Sequence, residues 1–275
     1  MSKTTPCRVL WALLMLAITP AASGAADEQW QLGSTPSFSS GKYGTDTRTE
    51  VLQTPITARR LFDRGDVTLV FPFICIWGDG VVTVVNGSPV RQQRIAAANR
   101  GGRTAGSPIA ARNCGMGDIV VRGRYYLLDQ HGWMPTIAVR AHVKTPTASA
   151  ERGLGTGRPD EGAGLEGSRI FARGTIAMVD GGYTVIGKPE GVDFANNWWY
   201  DVGIGQNVGA NGAVNLSVFF EEYRAIVPGL ENARDVLATV SLKGANGWRV
   251  QVSGELGVSE GAPDHGITFG ASRRF

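Results

Sequence analysis

The chain has 275 residues, with 27 Lys and Arg against 24 Asp and Glu, a formal net charge of +3, and 38 glycines. A balance this close to neutral gives no electrostatic footprint for nucleic acid. Glycine at about twice its usual ~7%, with no collagen-like period, points to many turns and close strand packing.

Lys3 and Arg8 precede the apolar run VLWALLMLAIT (9–19), and Pro20 and small residues follow. This is the pattern of a secretory signal peptide over 1–25, cleaved near 25 or 26. The run is well short of the ~20 residues that a spanning helix needs. Residues 26–275 are then expected to fold after export. Of the three cysteines, Cys7 lies ahead of the apolar core. Cys75 and Cys114 could pair in an oxidising compartment or stay as buried thiols.

The rest is a succession of alternating segments. EQWQLGSTPSF (28–38) is a weak opening strand. TEVLQTPITARRLF (49–62) and DVTLVFPFICIW (66–77) form a hairpin across DRG. SPVRQQRIAAANR (88–100) reads as a short helix. DIVVRGRYYLL (118–128) is followed by a strand over 135–144. SRIFARGTIAMV (168–179) and YTVIGK (183–188) are joined by DGG (180–182). Strands over 198–205, 214–223, 235–243, 248–258 and 266–275 complete a set of twelve.

The connections alternate in length. Short turns fall near 63–65, 129–134, 180–182, 209–212 and 244–247, and longer links at 78–115, 145–166, 189–197, 227–233 and 259–265. Segments of about ten residues suit tilted strands crossing a bilayer, whereas soluble domains average ~5–6. The expected fold is all-β, an antiparallel up-and-down transmembrane β-barrel with short periplasmic turns and longer extracellular loops. Such a barrel belongs in the outer membrane of a Gram-negative bacterium. Trp77, Trp133, Trp198, Trp199, Tyr200, Tyr223 and Trp248 would form interfacial girdles. Ile267, Phe269 and the terminal Phe275 resemble the closing-strand signal read by the barrel-assembly machinery. A secreted β-sandwich or lipocalin-like barrel is the alternative.

In PTIAVRAHVKT (135–145), a barrel turns Ile137, Val139, Ala141 and Val143 to lipid and Arg140, His142 and Lys144 inward. Extended along the chain, the inward set is Arg122, Arg124, Arg140, His142, Lys144, Arg169, Arg173, Asp201, Glu221, Arg249, Glu255 and Arg274. This predominantly basic interior could guide anionic or polar aromatic solutes. Alternatively, the charges solvate one another and plug a narrow barrel. Val70, Ile74 and Ile76 would pack under the 78–115 loop or line an apolar path. His131, His142 and His265 are the only histidines and form no catalytic grouping, so no enzyme is expected. Asp160, Glu161 and Glu166 match no EF-hand spacing and read as a solvated loop. No cofactor is implied.

The segments CGMGDIVVRGRYYLLDQ (114–130), AVRAHVKTPTA (138–148) and GLGTGRPDEG (153–162) resemble a Gly-Asp, Lys-x-Pro-Thr-Gly, Leu-Gly-Thr-Gly core. That core marks a large bacterial outer-membrane family labelled putative meta-pathway phenol-degradation proteins or transporters. WWYDVGIGQNV (198–208) and SEGAPDHGITFGASRRF (259–275) echo further segments, so the resemblance covers roughly 45–275. It implies an outer-membrane channel for small, hydrophobic or aromatic compounds; the alternative is an adhesive or ligand-binding barrel with a plugged lumen. Ala148 stands where the family has Gly after Pro-Thr.

Overall fold

The computed structural model describes residues 29–43, 47–78, 82–85, 88–91, 111–209 and 212–275. The expected signal peptide and residues 92–100 of the expected helix lie outside them. The described chain forms β1 (Gln29–Ser34), β2 (Ser37–Gly41), β3 (Thr49–Phe62), β4 (Gly65–Gly78), β5 (Val82–Val85), β6 (Ser88–Arg91), β7 (Ala111–Met116) and β8 (Val120–Leu128). It continues with β9 (Thr136–Lys144), β10 (Asp160–Ile170), β11 (Thr175–Val185), β12 (Asn197–Val208), β13 (Val214–Tyr223), β14 (Ala233–Lys243), β15 (Trp248–Gly257) and β16 (His265–Arg274). Ser88–Arg91, expected as helix, instead pairs with Val82–Val85 as a separate hairpin.

The other fourteen strands form one antiparallel sheet that closes on itself, because β16 pairs with both β1 and β2. β1 and β2 are one stave interrupted at Thr35–Pro36, and β7 and β8 are another, so the barrel has twelve staves. Closure leaves no edge of unpaired backbone groups, the condition for a sheet in hydrocarbon.

The exterior is the apolar row of each strand. Leu165, Val179, Ile204, Val218, Val240, Val252, Leu256 and Phe269 are all exposed on it, Ile204 to 61% and Leu256 to 63%. Three outward arginines sit at the short-turn ends of their strands, beside aromatic rings. Arg60 lies over Trp30 and Phe62, Arg169 over Phe171, and Arg273 over Trp248 and Phe275, at 5.3–5.9 Å. That placement lets the guanidinium leave the hydrocarbon.

One hairpin differs from the sequence reading. Asp180, Gly181 and Gly182 lie inside β11, and the turn is Phe171–Gly174, with Arg173 and Gly174 at φ 66° and 82°. The expected 145–166 loop therefore ends at 159, and Asp160, Glu161 and Glu166 belong to β10. Gly182 is needed in the strand for a packing reason. A Cβ there would stand 2.6 Å from Cζ2 of Trp199, whose indole lies across Gly164 and Gly182. Arg173 is consequently a turn residue. Arg169 points outward, donating to the carbonyl of Gly132 at 3.0 Å. Neither lines the lumen.

Trp199 and Tyr223 also leave the expected girdle. They are cross-strand partners on the inward face, while Trp198 and Tyr200 stack outward with ring centroids 6.1 Å apart.

Candidate functional site: the barrel lumen

The long-loop mouth is built around one buried ammonium. Lys144, at the end of β9, is 2% exposed, and Asp160, at the start of β10, is fully buried. Its Nζ lies 3.1 Å from Oδ2 of Asp118 and 2.8 Å from Oδ2 of Asp160, and donates to Oγ1 of Thr156 at 3.3 Å. The other carboxylate oxygens bind backbone. Asp118 Oδ1 accepts from the Ala148 N–H and Asp160 Oδ1 from the Gly187 N–H, both at 2.8 Å. The net negative charge of one lysine and two aspartates is thus offset by backbone donors.

This knot pins the 145–159 loop onto the inner wall. Leu154 and Ala148 close a core over Val51, Ile74 and Ile76. Ile74 and Ile76 of β4 therefore pack under the 145–159 loop; most of the 78–115 link lies outside the described residues. Ala148 contributes its methyl to that core. Lys144, expected on the solute path, is walled off by the same loop. On the outward side of β4, Cys75 and Cys114 are directly opposed and form a disulfide 39 residues apart in sequence. A second loop core joins Ile186, Val192 and Phe194 to Ile226. Beside the mouth, burial pushes the Tyr43 phenol up to about 12.

Below the mouth, the lumen is divided by charge. The basic wall is β8–β9, where Arg122 opposes His142 and Arg124 opposes Arg140. Directly opposed like charges are unfavourable, and two of the arginines are neutralised. Arg124 reaches Glu166 at 3.2 Å, and Arg140 pairs with Asp180. Arg140 also lies 4.7 Å from the centroid of the Trp199 ring. Arg122 is exposed to the lumen and makes no ion pair among the described residues. His142 sits 3.4 Å from Thr184 Oγ1, in the space left by Gly162.

The opposite wall is acidic, and this the sequence reading missed. Glu166, Asp180, Asp201, Glu221 and Asp235 are successive direct partners on β10 to β14. Glu255 stands on the inward face of β15, opposite Leu237. With the Arg59–Asp66 pair beside Arg124, seven acids stand against four arginines in this zone and reverse the expected basic interior. The inward Lys243, Arg249 and Arg274 lie at the short-turn ends of their strands, where all three are exposed to water. Gly203 makes room for Phe219 on the acidic wall, since a Cβ there would meet the ring at 2.3 Å.

No family model matches this chain, and no curated protein matches it in sequence. Solved structures do match. A COG4313 outer membrane channel from Pseudomonas putida F1 superposes with a TM-score of 0.62 at 12% identity, covering 94% of this chain and 100% of that one. The fold is that of a twelve-stranded outer-membrane β-barrel. More distant barrels are the beta domain of the Bordetella autotransporter BrkA (TM-score 0.46, 11% identity, 91% and 100% covered) and the CymD monoaromatic hydrocarbon channel (0.45, 11%, 90% and 87%).

Proposed function

We propose that this barrel is a passive channel for small solutes in the outer membrane. The observation that carries the reading is the inward row of charged side chains below the mouth, several of them open to lumen water. A barrel filled for stability alone gains little from such a row, because buried like charges cost free energy that apolar packing does not. The rings of Trp199, Phe219 and Tyr223 among these charges support passage of solutes with an aromatic or apolar part, the class implied by the family resemblance. The non-enzymatic reading stands with it.

The 145–159 loop, folded inward on Val51, Ile74 and Ile76, favours a second reading: a ligand-binding barrel whose loops obstruct transport. Reconstitution into planar bilayers separates the two. A channel gives stepwise ion conductance and admits small sugars in vesicle swelling. Correctly folded barrel that passes neither ions nor solutes refutes transport. For assembly, we propose that Ile267, Phe269 and Phe275 on the outward face of the closing strand are read by the barrel-assembly machinery. Phe275→Ala is expected to lower the amount of folded barrel in outer-membrane fractions, and an unchanged amount refutes that role.

A further inference from the structure

The acidic row has a property that packing does not require. In a sheet, carboxylates placed directly opposite one another repel. Here five succeed each other on neighbouring strands, and only Glu166 and Asp180 meet an arginine. Asp201, Glu221 and Asp235 make no ion pair among the described residues, and Glu255 stands beside them. Two buried acceptors are left over. Asp180 Oδ1 is buried without a partner although its other oxygen pairs with Arg140, and Asp235, only 5% exposed, receives no hydrogen bond among the described residues. A buried carboxylate without a donor costs free energy comparable to a lost hydrogen bond or more. These two are independent signs of a missing donor.

The missing donor is not a bare metal ion. Among the described residues, no group of three acids or other ligating side chains stands close enough to hold one. Carboxylates on successive strands are instead spaced by the strand separation, about 4.5–5.5 Å between Cβ atoms. That is close to the spacing of amines joined by a three-carbon chain, and carboxylates leaning apart from their Cβ atoms reach that of a four-carbon one. The ring of Phe219 and the apolar side chain of Leu237 lie one inward position below the row, where methylene spacers would run. The arginines and His142 face the row from β8 and β9, so an anion would be held on the far wall and a cation on this one.

We propose that the row Asp180–Asp201–Glu221–Asp235, with Glu255, binds linear organic cations bearing two or more amines, the aliphatic polyamine class. This rests on the channel reading only for the further step that such cations are solutes of the barrel. Binding is measured directly, by titrating spermidine calorimetrically into folded barrel in detergent, with magnesium chloride as the competitor. Conductance is recorded in parallel with spermidine on one side of a bilayer.

Expected results are saturable spermidine binding that equimolar magnesium does not displace, and cation-selective current reduced by spermidine. The variant Asp201→Asn/Glu221→Gln/Asp235→Asn should bind about tenfold more weakly, as loss of three partly solvated ion pairs implies. Heat-modifiable gel mobility checks that the variant folds. Binding that is absent, displaced equally by magnesium or unchanged in the folded variant overturns the proposal, and the channel reading survives if current persists. Binding without any current overturns the channel reading and leaves the polyamine site standing.

Discussion

Replacing Lys144 with Met tests whether the mouth is held by one ionic knot. Among the described residues the ammonium is the only cation between Asp118 and Asp160, and all three side chains are almost wholly buried. Methionine keeps the length of the stem and removes the charge. Two carboxylates then face each other with only their backbone donors, from Ala148 and Gly187, left to satisfy them. Breaking a buried pair by removing one partner costs about 3–5 kcal/mol. Here the residue removed serves two partners, so the upper half of that range is expected.

Urea unfolding followed by tryptophan fluorescence reads the loss as a lower midpoint. Single-channel recording reads its second effect, larger and noisier current, because the 145–159 loop loses the bond from Lys144 Nζ to Thr156 Oγ1. The compensating variant Asp118→Asn/Lys144→Met/Asp160→Asn removes the charges and keeps an acceptor at each Oδ1. It should recover to within about 1–2 kcal/mol of the parent. If Lys144→Met leaves the midpoint unchanged, or the triple variant is as unstable as the single one, the ionic account of the mouth is wrong.

Other perturbations probe the two faces of the wall. Reducing the Cys75–Cys114 bond, which spans 39 residues, should lower the unfolding midpoint by up to about 4 kcal/mol on the chain-entropy model, and an identical midpoint with and without reductant refutes it. Gly203→Ala drives a methyl into Phe219 and should cost about 1–3 kcal/mol, recovered in part by adding Phe219→Leu. Val139→Arg on the lipid face should cost about 2–4 kcal/mol and reduce membrane assembly. By contrast, Arg122→Gln on the lumen face should assemble normally and shift only ion selectivity. Equal assembly of those two variants would mean that the faces are assigned the wrong way round.

Strand count and orientation were legible because they rest on local facts. Period-two alternation marks each stave, and links of alternating length sort the ends. Where local chemistry misled, a longer-range contact was the reason. Asp180-Gly-Gly has the composition of a turn, yet the glycines lie in β11 because the Trp199 indole from β12 needs their surface. Phe-Ala-Arg-Gly carries the real turn with a non-glycine residue at positive φ, Arg173, which composition does not flag. That displacement moved Asp180 and Glu166 out of the strands where they belong. With them went two of the five acids in the row.

The lumen was less legible for a related reason. Which side chains point inward follows from alternation, but which of them meet depends on register across strands, and register is a property of pairs. Asp201, Glu221 and Asp235 are separated in sequence by whole hairpins, yet each is the direct partner of the next. The knot at the mouth has the same character. Asp118, Lys144 and Asp160 come from three segments, and no one segment explains why a lysine should end β9. Taken with the barrel, the two clusters divide the labour. At the mouth every charge is matched, and the result is a fixed loop. Along the β10–β14 wall acids are left in excess, and that excess is what the proposed polyamine site requires.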